Sequence, residues 1–138
     1  MAFIALEVLD NGITIRATQP KEFYIYNQVH TLNGIDYLVV LSKEELESKI
    51  RRNYNCSKLV TTFITNMSEL FKFKSKFNQP LNNWDVSNVT TMNKMFFGAE
   101  SFNQPLNNWD VSKVRNMEFM FSRSESFNQP LDNWNVSN

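Results

Sequence analysis

Apolar and polar positions in the second half of the chain repeat every 25 residues. The segment FNQPLNNWDVS at 77–87 returns nearly letter for letter at 102–112 and 127–137. Phe77, Phe102 and Phe127 share one phase, and Trp84, Trp109 and Trp134 share another. Within a period, Leu81, Trp84, Val86 and Val89 have the L-x-x-L-x-L-x-x spacing of a leucine-rich-repeat strand and turn, with Trp in one Leu position. On that reading Trp84 and Val86 point inward, and Asp85 and Ser87 point outward. Val89, Met92, Met95 and Phe96 then follow helical or 3₁₀ spacing and form the other side of the coil. The pattern predicts an α/β solenoid: a short leucine-rich-repeat-like right-handed coil with a stacked parallel sheet. Each coil buries its apolar face against its neighbours.

Subtracting one period maps Trp84 onto Leu59, and Val89, Met92, Met95, Phe96 and Phe102 onto Ile64, Met67, Leu70, Phe71 and Phe77. A worn first coil therefore precedes the others. The expected divisions are 55–76, 77–101, 102–126 and a partial coil at 127–138. The predicted core ladder is Phe77, Trp84, Val86, Met92, Met95, Phe96, Phe102, Trp109, Val111, Met117, Met120, Phe121, Phe127 and Trp134. A last strand is expected over 133–137, which either leaves an open edge for a partner or serves with its half coil as a thin cap.

Residues 1–54 read as a β-rich capping unit. Apolar runs at 3–9 and 13–17 flank Asp10-Asn11-Gly12, a hairpin signal. Further strands are expected at 21–26 and 35–41, the latter entered through Asn33-Gly34. Ser42, three residues before Glu45, starts a capping box for a helix over about 43–52, with Leu46 and Ile50 on one face.

Charge alters this picture little. Formal net charge is zero, and no Lys/Arg clustering suits phosphate neutralisation, so nucleic acid is not an expected partner. Lys72, Lys74 and Lys76 alternate, which reads first as a solvated loop and second as a contact for an acidic partner or lipid. The lone Cys56 has no disulfide partner. No apolar run is long enough for a membrane span. The N-terminus reads as a strand, not a signal peptide, so an intracellular location or an intracellularly assembled particle is expected over classical secretion. Nineteen asparagines recur at fixed phases, which suggests turn positions or side-chain ladders and not disorder.

Catalysis needs a matched set of groups. His30 has no partner at motif spacing, and the three glycines are too sparse for a phosphate loop. Asp85 and Asp110 align one period apart but give way to Asn135 in the next repeat. The expectation is no enzyme, no cofactor and no metal. The candidate contact face is the outward side of the expected sheet: Asp85, Ser87, Asp110, Ser112, Asn135 and Ser137.

The stretch FNQPLNNWDVSNVTTMNKMF, with Phe77, Asn78, Gln79, Trp84, Asp85, Val86, Ser87, Val89, Met92, Met95 and Phe96 in pattern, resembles the repeat of the BspA-like leucine-rich-repeat surface proteins. These are also described as the DUF285 or Mycoplasma-type lipoprotein repeat. The resemblance covers about 59–138. It implies a surface protein tied to adhesion, with related genes in some large DNA viruses, and brings no catalytic residues. Two functions follow as expectations. The first is a non-enzymatic interaction or assembly protein, in its sharper form a minor component of a virion or other large particle, with a protein partner or self-association. The alternative is a short adhesin for host protein or, more weakly, glycan.

Overall fold

The computed structural model describes residues 3–137. Strands β1 (Leu6–Val8) and β2 (Ile15–Ala17) form a two-stranded antiparallel sheet with Leu6 opposite Ala17. The loop between them is held by Asn11, whose Oδ1 accepts from the amides of Ile13 and Thr14, both at 2.9 Å. Strands β3 (Val29–Leu32) and β4 (Ile35–Val39) form a second hairpin. Its two-residue turn places both Asn33 (φ 52°) and Gly34 (φ 79°) in the left-handed region, which suits the twist of a tight hairpin. Strand β5 (Leu59–Val60) adds to β4 in parallel, giving the order β3-β4-β5. The strand expected at 21–26 is instead a 3₁₀ turn over Lys21–Tyr24. It turns Tyr24 inward, where its hydroxyl donates to Ala5 O at 2.5 Å and accepts from the amides of Thr18 and Gln19.

Helix α1 (Lys43–Arg51) starts where its cap lies: Ser42 Oγ accepts from the Glu45 amide at 3.1 Å. Glu44 and Glu45 sit in its first turn, and Lys49 and Arg51 in its last, each matching the local end of the helix dipole. Asn53 (φ 57°) ends it, with the Asn53 and Tyr54 amides donating to Ile50 O and Lys49 O at 3.0 Å. Leu46 and Ile50 are buried in the main apolar core, together with the repeat side chains. A smaller core joins Leu6, Ile15, Ala17, Tyr24, Tyr37, Val39 and Val60. The two regions are tied by backbone bonds, among them Ile15 N to Asn83 O at 2.9 Å and Val40 N to Val60 O at 3.1 Å.

The expected α/β solenoid, with its leucine-rich-repeat coil and stacked parallel sheet, does not form. The sheets are small and mixed, with two and three strands, and α1 is the one α-helix among the described residues. Beyond β5 the described residues of the repeats contain only isolated parallel bridges, Asn66 to Thr91 and Thr91 to Asn116. The physical reason is local. Trp84 N donates to Leu81 O and Val89 N to Val86 O, so the supposed strand folds into two tight turns. The 133–137 strand fails in the same way, with Trp134 N bonded to Leu131 O.

The helical spacing over 89–96 also corresponds to no helix. Lys94 (φ 56°) and Gly98 (φ 69°) are left-handed, as are Glu69 and Phe73 before them and Phe119 and Arg123 after them. Left-handed residues every fourth position break a helix and leave a chain of overlapping turns: Met95 N to Met92 O, Phe97 N to Lys94 O and Ala99 N to Phe96 O.

Neighbouring repeats nevertheless hold a common register. Rings lie parallel at the period: Phe71 on Phe96 at 5.3 Å, Phe96 on Phe121 at 5.6 Å, Phe77 on Phe102 and Phe102 on Phe127 at 5.9 Å, and Trp109 on Trp134 at 6.3 Å. Trp84, Val86, Met92, Met95, Phe96, Phe102, Trp109, Val111 and Met120 are buried; Phe77, Met117, Phe121, Phe127 and Trp134 are half-buried.

Candidate docking edge

Of the outward face expected from the sequence, Asp110, Asn135 and Ser137 are exposed and Ser87 and Ser112 are half-buried, but Asp85 is not at the surface. Asp85 is 2% exposed, against an expected outward position. Its Oδ1 accepts from Ser87 N at 3.1 Å and Ser87 Oγ at 2.6 Å. Asp110 with Ser112, and Asn135 with Ser137, repeat this turn in more exposed settings. These six residues are turn formers, which explains why Asn replaces Asp without loss of the acceptor. Asp85 Oδ2 is buried with no partner among the described residues and borders a hollow of about 100 Å3 that Thr14, Arg16 and Asp110 also line.

Asparagine and glutamine side chains join one repeat to the next. Asn78 Oδ1 accepts from Asn103 N at 2.9 Å and Gln104 Nε2 at 3.2 Å, and Asn103 Oδ1 accepts from Asn128 N at 2.9 Å and Gln129 Nε2 at 3.1 Å. Each indole N–H donates to a carbonyl 28 residues earlier: Trp84 to Cys56, Trp109 to Leu81 and Trp134 to Leu106, at 2.8–2.9 Å. Trp84 and Trp109 are internal and Trp134 is half-buried, and in each the preceding turn provides the partner that a buried N–H needs.

The overlapping turns divide their amides between two uses. One set closes the turns within a repeat. The alternate set, at Met67, Glu69, Phe71 and Phe73, donates to the carbonyls of Thr91, Asn93, Met95 and Phe97 in the next repeat, at 2.7–3.0 Å. Met92, Lys94, Phe96 and Gly98 do the same to Asn116, Glu118, Met120 and Ser122, at 2.8–2.9 Å. One period on, the amides of Met117, Phe119, Phe121 and Arg123 have no acceptor among the described residues. Beside them, Met117, Met120, Phe121, Leu131, Trp134 and Val136 line an open hollow of about 380 Å3. Val136 is 64% exposed, although Val86 and Val111 in the same phase are buried. This edge combines a row of free backbone donors with an apolar floor. Met117, Phe121 and Trp134 were legible from the sequence as ladder members. Leu131 and Val136 were missed, and their phase with Leu81, Leu106, Val86 and Val111 was the available signal.

Elsewhere the chemistry is subdued. His30 Nε2 lies 2.8 Å from Asn27 O, with its ring stacked on Phe23 and edge-on to Tyr24. Burial pushes the Cys56 thiol from 9.0 up to about 12, which keeps it protonated. Lys72, of the alternating lysines, pairs with Glu69 at 3.6 Å. Among the described residues, no group of three or more His, Cys, Asp or Glu side chains could hold a metal ion, and no helix is long and apolar enough to cross a membrane.

The family model described as Mycoplasma protein of unknown function, DUF285, matches residues 42–138, most of the chain. The chain belongs to the DUF285 family. The matched region begins at the cap of α1 and includes every repeat of this DUF285 chain, so the helix is part of the family unit along with the registered turns. No curated protein and no solved structure matches it. The family description assigns no activity, and the function of the DUF285 chain has to be argued from its surface.

Proposed function

We propose that this DUF285 chain is a non-enzymatic protein-interaction module that docks a partner polypeptide on the edge formed by residues 115–137. The observation that carries this reading is the row of unpartnered amides at Met117, Phe119, Phe121 and Arg123 beside the Leu131, Trp134 and Val136 floor. An exposed row of backbone donors takes extended or turn-rich peptide by main-chain bonding, while an adjacent apolar floor supplies affinity. A carbohydrate platform needs exposed aromatics; Trp84 and Trp109 lie inside, and the exposed Phe119 and half-buried Trp134 stand beside a row of main-chain donors that suits a polypeptide better. A hydrolytic carboxylate pair fits poorly, because Asp85 is buried in its turn whereas Asp110 is exposed.

The test is amide hydrogen exchange on the chain in the native complex of its source, compared with the purified chain. Strong protection of the four edge amides is expected in the complex. Unchanged exchange there, with protection elsewhere, overturns the assignment of the edge. A native species with the mass of one chain and no partner overturns the docking reading altogether.

A further inference from the structure

Charge that cancels over the whole chain is unevenly placed within it. Residues 48–84 hold seven Lys or Arg and a single carboxylate, Glu69, which Lys72 takes at 3.6 Å. Lys49, Arg51, Arg52, Lys58, Lys74 and Lys76 have no acidic partner among the described residues. The fold gathers part of this excess around one hollow. At the end of α1, Ile50 and Arg51 face the turns that carry Phe73, Lys74, Lys76 and Phe77 across an open space of about 440 Å3. None of the described residues that line it is acidic. Phe73 is 62% exposed, and Phe77 is half-buried. Three cations thus surround an apolar floor.

A row of unmet acceptors lies beside the same helix. The carbonyls of Thr91, Asn93, Met95 and Phe97 each accept an amide from the repeat before, whereas the aligned carbonyls of Asn66, Ser68, Leu70 and Lys72 accept none among the described residues. Helix α1 stands in that place, with Lys43 Nζ 3.3 Å from Ser68 Oγ. A helix keeps its amides for its own turns, so α1 covers the apolar core and leaves the row unmet.

We propose that the hollow binds an acidic, extended polypeptide segment. Its carboxylates meet Arg51, Lys74 and Lys76, and an apolar side chain enters between Ile50, Phe73 and Phe77. Its main-chain amides turn toward the carbonyls of Leu70 and Lys72. Polypeptide is the polyanion that fits both features. A nucleic-acid backbone or a lipid phosphate satisfies the cations but brings no row of N–H donors for the carbonyls. The site lies within residues 50–77 and shares no residue with the 115–137 edge.

The full chain is titrated by calorimetry with the end-blocked synthetic peptide Asp-Glu-Asp-Phe-Glu-Leu-Asp and with its Asn/Gln counterpart. Saturable binding of one acidic peptide per chain is expected. The neutral peptide should bind about tenfold more weakly or worse, and salt at about 1 M, where screening acts within a few ångströms, should weaken the acidic peptide several-fold. Arg51→Gln combined with Lys76→Gln should weaken it by roughly tenfold, about two exposed ion pairs. Both side chains are exposed and have no acidic partner among the described residues, so unfolding of the double variant should stay close to that of the parent. Lys113→Gln, in a later repeat, should bind as the parent does. Binding that ignores the peptide's charge or survives the double variant unchanged overturns the proposal, as does absence of saturation at about 1 mM peptide. Tighter binding of oligothymidylate or of phosphatidylserine vesicles through the same two residues overturns it in favour of nucleic acid or membrane. Self-association of the chain that the double variant abolishes overturns it in favour of a second copy. Exchange at the edge amides of Met117, Phe119, Phe121 and Arg123 should not change when the peptide binds, and protection there in place of the hollow also overturns the assignment.

Discussion

The register of the repeats predicts that two tryptophans in the same sequence context carry different weights. Trp109 is 2% exposed, donates to Leu81 O at 2.9 Å, and lies against Phe96 at 6.4 Å and Trp134 at 6.3 Å. Trp134 makes the equivalent bond to Leu106 O and lies against Trp109 and Phe121, but it is only half-buried. A fully buried tryptophan removes about 200 Å2 from water, worth on the order of 5 kcal/mol, in line with the roughly 3–5 kcal/mol measured for such truncations. The indole bond adds about 1 kcal/mol. Trp109→Ala should therefore cost about 4–5 kcal/mol and Trp134→Ala about 2 kcal/mol. A chain of this length commonly has roughly 7–20 kcal/mol in hand, so both variants should fold. Urea unfolding followed by far-ultraviolet circular dichroism measures both without relying on the altered fluorophore. Equal losses for the two variants, or a Trp109 loss below about 1.5 kcal/mol, would refute the claim that the rings form a registered interior row.

Three other outcomes follow from single residues. Cys56 has its folded pKa raised from 9.0 to about 12, so above pH 9 the unfolded chain sheds its thiol proton first; stability should fall between about pH 9 and 12, an effect that Cys56→Ala lacks. Comparing the two denaturation profiles isolates the thiol, and parallel profiles would sink the assignment. Asp85→Asn keeps the Oδ1 acceptor for Ser87 and removes a carboxylate with an unpartnered buried oxygen; it should change stability by less than about 1 kcal/mol or raise it, whereas Asp85→Ala, which loses the turn bonds, should cost about 1–3 kcal/mol in the same urea assay. Gly98 has φ 69°, and a Cβ there would stand 2.6 Å from the Phe73 ring. Gly98→Ala should cost about 1–2 kcal/mol, and adding Phe73→Ala should recover only the steric part; full recovery would show that backbone conformation is not the cause.

How much of this was legible depends on the length scale. The period, the inward phases of Trp84 and Phe96, the Ser42 cap and the Asn33-Gly34 turn follow from local chemistry and survive in the structure. The backbone path between those points did not. Val89, Met92, Met95 and Phe96 satisfy helical spacing, yet Lys94 is left-handed, as is Phe119 one period on, whose amide has no acceptor among the described residues. The conformation goes with the overlapping turns of the segment, and no propensity of lysine announces it. Asp85 was misplaced for a related reason. A strand would turn it outward, whereas a tight turn that bonds Ser87 turns it inward, next to the β1–β2 hairpin. The docking edge was visible only as an unmatched phase. Its donors belong to the main chain, on which side-chain identity is silent.

The seam between repeats rests chiefly on main-chain groups, with asparagine, glutamine and indole side chains recurring at fixed phases. Side chains that project away from it differ between successive repeats: Asn93 becomes Glu118 and Gly98 becomes Arg123, and both newcomers are exposed. Outer charge and shape can therefore drift from one unit to the next while the joint stays constant. A lineage could vary its exterior freely and keep a single interior grammar.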